Sequence, residues 1–135
     1  MQKLAQLIQQ SQAKTKPVNL AVVQATEKQF PFAFSQEYRD YLCAFGSISY
    51  EYHETYGLGV KENHFLHIYK VYQDLSRDTT YPANAVPLME IGDGHYYLYD
   101  NATQKVLLWA SPNGGIVKTL PEGLEDFLAK KIFSA

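Results

Sequence analysis

From Val86 onward the apolar residues come in short runs separated by turn formers: Val86-Pro87-Leu88-Met89, Tyr96-Tyr97-Leu98-Tyr99 and Val106-Leu107-Leu108-Trp109. Gly92-Asp93-Gly94 divides the first two runs. An Asp-Gly pair there predicts a tight hairpin, because glycine reaches positive φ without a Cβ clash. Asp100-Asn101-Ala102-Thr103 marks a second reversal, so the stretch from Val86 to Trp109 is predicted as a three-stranded meander. Asn113-Gly114-Gly115 predicts a further turn, with Ile116-Val117 as a short edge strand.

Elsewhere the period is helical. Leu4, Leu7 and Ile8 predict a short amphipathic helix over about residues 2–13. Residues 18–30 fit a strand or a helical turn equally well. Ser35 is a good N-cap, Tyr38, Tyr41, Leu42 and Phe45 follow on one face, and Gly46 is placed to stop that helix in a left-handed conformation. From Ile48 the period shortens to two, through Tyr50, Tyr52, Tyr56 and Leu58, which fits a hairpin near His53-Glu54 or one bent strand. Phe65, Ile68, Tyr72 and Leu75 return to helical spacing, with Asn63 as the expected cap. Thr119-Leu120-Pro121-Glu122 reads as a capping box ahead of a last helix carrying Leu124, Phe127, Leu128 and Ile132. The expected class is α+β: N-terminal, middle and C-terminal helices packed on a mostly antiparallel sheet of about four to six strands.

At 135 residues the chain is expected to form one domain over 1–135, burying roughly two-thirds of its unfolded surface. Its net charge of -2, with scattered basic residues, argues against nucleic acid as a partner. Lys130-Lys131 is the only adjacent basic pair, and in a last helical turn it complements the helix dipole. Cys43 stands alone in a helical pattern, as a buried inert thiol would. No run approaches the ~20 apolar residues of a membrane span, and residues 1–10 lack the apolar core of a secretory signal, so the expected compartment is the cytoplasm.

Candidate chemistry is sparse. His53-Glu54 and Asp93-Gly94-His95 each set a base beside a carboxylate, but no nucleophile elbow or oxyanion loop accompanies them, and no enzymatic activity is expected. His64 and His67 would share a helix face, yet zinc needs two further donors, and a solvated face accounts for them better. Gly92-x-Gly94 lacks the third glycine of a dinucleotide loop. The expectation is no cofactor and no metal. Eleven tyrosines are the compositional anomaly, and they suit either a half-buried sheet or a recognition surface.

The order of these signals resembles the SUKH superfamily, which includes fungal cell-wall synthesis regulators and bacterial immunity proteins against polymorphic toxins. Phe34-Ser35-Gln36-Glu37-Tyr38-Arg39-Asp40-Tyr41-Leu42 with Phe45-Gly46 is similar to the family's opening helix, with Ser35 where proline is more usual. Glu54-Thr55-Tyr56-Gly57-Leu58 resembles its "E-x-Y-G-L" strand, and Val86-Pro87-Leu88 with Ile91-Gly92-Asp93-Gly94 its "V-P-I…G-D-G". Tyr97, Asp100 and Trp109 sit where "Y…D" and a tryptophan are expected, and Glu125-Asp126-Phe127-Leu128 resembles the terminal helix, with Leu124 where an aromatic is common.

The resemblance implies a non-enzymatic protector that binds and blocks a toxin domain, frequently a nuclease or deaminase. It makes Gly57, Pro87, Gly92, Gly94 and Trp109 scaffold, and leaves partner-reading residues to vary. Because nuclease grooves are basic, an inhibitor gains rate and specificity from carboxylates, with aromatics as anchors. Glu51, His53, Glu54, Asp93, His95, Tyr97 and Tyr99 are the expected partner-binding set, since alternation can place several of them on one sheet face or its rim. A regulatory scaffold for an endogenous protein, and a hydrolase using His53 or His95, are the competing readings.

Overall fold

The computed structural model describes residues 1–135. Helix α1 (Gln2–Ser11) ends on Gln12 at φ 60°, and β1 (Lys14–Thr15) follows. The ambiguous segment is helical: α2 (Leu20–Glu27) is capped by Asn19, whose side chain accepts from the Val22 N–H. Helix α3 (Gln36–Ala44) has the predicted cap, with the Tyr38 N–H donating to Ser35 Oγ at 3.1 Å. It also has the predicted stop: Gly46 lies at φ 66° and its N–H donates to the Leu42 carbonyl.

Next, β2 (Ile48–Tyr50) and β3 (His53–Glu54) form a hairpin whose two-residue turn is Glu51-Tyr52, with Glu51 at φ 54°. Together β1, β2 and β3 make an antiparallel sheet in that order. Helix α4 (Ile68–Leu75) starts later than its periodicity predicts. His67, not Asn63, is its cap, because its imidazole accepts from the Tyr69 N–H at 3.2 Å. His64 uses its ring nitrogen on the Leu66 N–H in the preceding turn, so the two histidines share no helix face.

The predicted meander is present as β4 (Ala85–Gly92), β5 (His95–Asp100) and β6 (Lys105–Ala110), extended at the edge by β7 (Gly115–Thr119). Asp93 and Gly94 lie at φ 52° and 72°, the paired positive angles of a type I′ turn. The last helix, α5 (Leu124–Phe133), begins after Gly123, and Thr119-Glu122 is no capping box. Thr119 is still paired with Leu107, and the Leu120 N–H continues the ladder to Val106, so strand pairing takes the residues the local signal had assigned to a cap.

These strands pack on both faces. One face presents Val86, Tyr99 and Val106 to α3 and α5 within the main core, where Tyr38, Tyr41, Leu42, Leu124 and Leu128 are fully buried. The other presents Leu98, Leu107 and Trp109 to Tyr81 and Leu75, a smaller core in which the indole N–H donates to Thr80. The class is α+β as expected, but the strands divide into sheets of three and four rather than one. The two sheets meet where the Tyr56 N–H donates to the Leu88 carbonyl at 2.8 Å. Beside that junction the backbones of Gly46 and Gly57 touch: a Cβ on Gly57 would lie 1.8 Å from the Gly46 carbonyl oxygen. Cys43 is half-buried against the main core.

Candidate partner-binding surface

The expected partner-binding residues fall into three places. Glu51, His53 and Glu54 share the β2–β3 hairpin, where the alternation and the short turn keep both acids exposed and His53 half-buried. Asp93 and His95 occupy the β4–β5 turn; the imidazole Nδ1 lies 3.0 Å from the Asp93 carbonyl oxygen, and the turn is propped by the Ser111 N–H donating to Gly94 at 2.7 Å. No hydrogen bond or ion pair joins the two groups. Tyr97 packs on Phe127 with ring centroids 4.7 Å apart, on the α5 side of the sheet.

Tyr99 is a correction. It is fully buried, so it has no surface to offer a partner. Its hydroxyl donates to Glu37 at 2.8 Å, and therefore accepts from the Ser35 hydroxyl at 2.7 Å. Burial pushes its ionisation up, out of any physiological role. Alternation puts Tyr97 and Tyr99 on one face of β5; helix packing, absent from the local pattern, separates their fates.

Two aromatics that periodicity had assigned inward stand outside. Tyr52 is 94% exposed at the tip of the β2–β3 turn, and Phe65 is 63% exposed, stacked on His64 at 4.6 Å. The signal for Tyr52 lay in the turn: the central residues of a two-residue hairpin cannot point into the sheet core. Phe65 escaped because the helix it seemed to open begins only at Ile68. Phe65 lines a shallow cleft of about 260 Å³ with Glu54, His64, Lys14 and Lys16, against the three-stranded sheet. The two exposed aromatics thus lie near carboxylates, Tyr52 in the hairpin turn with Glu51 and Phe65 in the cleft with Glu54.

Other chemistry does not gather. No group of three or more His, Cys, Asp or Glu side chains converges as metal ligands would. His67 is buried, which lowers its pKa, and its ring is spent on the α4 cap. No helix is long and apolar enough to cross a membrane.

Of the residues that the resemblance marks as scaffold, Trp109 and Pro87 are buried and Gly57 is held by close approach. No curated protein matches the chain. The family model described as SMI1-KNR4 cell-wall, a SUKH group, matches residues 21–128. That span runs from α2 into α5 and takes in every strand but β1; the chain belongs to the SUKH superfamily.

Proposed function

We propose that this chain is an immunity protein that binds a toxin domain stoichiometrically and blocks it, acting in the cytoplasm and catalysing no reaction. Family membership supports a role in protein–protein interaction. The observation that carries the reading is Tyr52, 94% exposed in a two-residue turn that it shares with Glu51, with Glu54 two residues on in β3. A tyrosine has only two side-chain torsions to order on docking, and the acids complement the basic substrate groove of a nuclease. In this reading His53 and His95 are rim residues rather than bases.

The test is co-purification with the product of the adjacent upstream reading frame, once that product is shown to be toxic. A stable stoichiometric complex is expected. Tyr52→Ala should weaken it by about 2 kcal/mol or more, the loss typical of a central anchor, while leaving thermal stability unchanged. A verified toxin that ignores the wild-type chain would overturn the reading. Loss of a complex only on substituting fully buried residues would do the same.

A second reading follows from the cell-wall description of the matching family. Here the same surface docks an endogenous regulatory partner. A housekeeping neighbour in place of a toxin favours it.

A further inference from the structure

We propose that the cleft between β7 and α5 docks an extended acidic segment of a protein partner. The inference rests on the protein-binding reading but concerns a separate surface: this cleft of about 550 Å³ shares no lining residue with the one around Glu54 and Phe65. Lys118 enters it from β7, Lys130 and Lys131 from α5, and Glu122 from the connecting turn, over a floor that includes Tyr97 and Phe127. Three lysines against one glutamate make the cleft basic within a chain of net charge -2.

Only Lys130 has a carboxylate partner, Glu122 at 3.1 Å. Lys131 lies over the Tyr97 ring, its Nζ 5.4 Å from the centroid, and Lys118 is exposed on the strand. The helix dipole explains lysines in the last turn of α5, but it does not explain Lys118, which arrives from a different element.

The chemistry of the occupant follows from what surrounds these charges. The α5 residues that line the cleft are Phe127, Lys130 and Lys131; the first turn, Leu124, Glu125 and Asp126, contributes none, and no arginine fork is present. A compact phosphate therefore lacks the N–H donors that usually hold it. Three flexible ammonium groups along a strand and a helix suit carboxylates spaced along a chain instead. Beside them β7 is an edge strand, with Ile116 and Val117 52% and 51% exposed. A bulge near Val117 and the charge of Lys118 discourage indiscriminate pairing at that edge. An acidic strand removes the charge penalty, so the same lysine that guards the edge selects its partner.

The experiment is an amide-resolved NMR titration of the whole chain with a short peptide of alternating glutamate and valine. An alternating lysine–valine peptide and inorganic phosphate are the comparison probes. Shifts centred on Tyr97, Lys118, Lys130 and Lys131 are expected with the acidic peptide alone. Lys118→Glu with Lys131→Glu should weaken binding about tenfold, while Lys61→Glu with Lys105→Glu, exposed lysines outside both clefts, should leave it unchanged. If the double reversal disturbs the fold, Lys118→Gln serves as the milder variant and should weaken binding in the same direction.

Equal binding of the lysine–valine peptide, equal shifts from phosphate, or no response at these residues would each overturn the proposal. Because no toxin enters the titration, its outcome is independent of the co-purification result. A toxin complex formed by a chain that ignores the acidic peptide overturns the cleft alone.

Discussion

Tyr38 and Tyr99 stack 5.6 Å apart in the main core, yet their hydroxyls have opposite circumstances. Tyr99 spends its proton on Glu37 and its lone pair on Ser35, whereas the Tyr38 hydroxyl is buried with no partner. An unmade buried hydrogen bond costs about 1–3 kcal/mol and a made one contributes about 1. Tyr38→Phe should therefore raise stability by about 1 kcal/mol and Tyr99→Phe lower it by about 1–2, read by urea denaturation. Equal effects of the two would contradict the assigned bonding. Glu27 offers a second residue-level test. Arg39 reaches it with two nitrogens at 2.9 Å and the Phe34 N–H donates to it at 2.9 Å, which together hold its carboxyl below the ordinary 4.5. The folded state is thus the poorer proton acceptor. Stability from this site is present above the ordinary carboxylate pKa and lost as pH falls through the lower folded value. Glu27→Gln should flatten that acid limb, and an unchanged pH profile between about 5 and 2 would reject the linkage.

Elements formed where local chemistry specified them and shifted where pairing over a distance decided. Ser35, Gly46 and Asp93-Gly94 act within their own turns, so the α3 boundaries and the meander were legible in the sequence. The α5 start was not, since β6 holds Thr119 and Leu120 in the ladder past the apparent cap. The candidate surface divides in the same way: Glu51 and Glu54 could be placed on a hairpin, but Tyr52 could not be placed outward until the turn length was known. The lysine cleft was invisible because Lys118 and Lys131 meet only after the chain reverses at Pro121. Gly57 belongs to the long-range class too. Its neighbour is the Gly46 carbonyl oxygen, 1.8 Å from an added Cβ, at the place where the segment after β3 crosses the end of α3. Backbone on both sides cannot yield like a side chain. Gly57→Ala should cost about 3 kcal/mol, measured by chemical denaturation, and a loss under 1 would mean the crossing is looser than drawn.

Both cores hang on the same three strands, and that sharing fixes how the whole molecule should unfold. β4, β5 and β6 supply Val86, Tyr99 and Val106 to one face and Ala85, Leu98, Leu107 and Trp109 to the other. The three-stranded sheet adds no independent core; Ile48 and Leu58 belong to the main one, and the Tyr56–Leu88 hydrogen bond ties its chain to the edge of β4. A chain built this way has no half that keeps a closed apolar interior when the other opens, so one cooperative transition follows. Trp109 is the only tryptophan and sits in the smaller core, which makes its fluorescence a local probe of that face. Far-UV circular dichroism reports mainly on the helices, of which only α4, through Leu75, reaches the Trp109 face. Leu98→Ala removes a fully buried side chain from the smaller core and should cost about 2–4 kcal/mol. If the molecule is one unit, that substitution moves the fluorescence and dichroism midpoints down together by the same amount. A fluorescence transition that separates from the dichroism transition would instead make the Trp109 face a region that opens alone, and 1–135 would no longer be a single folding domain.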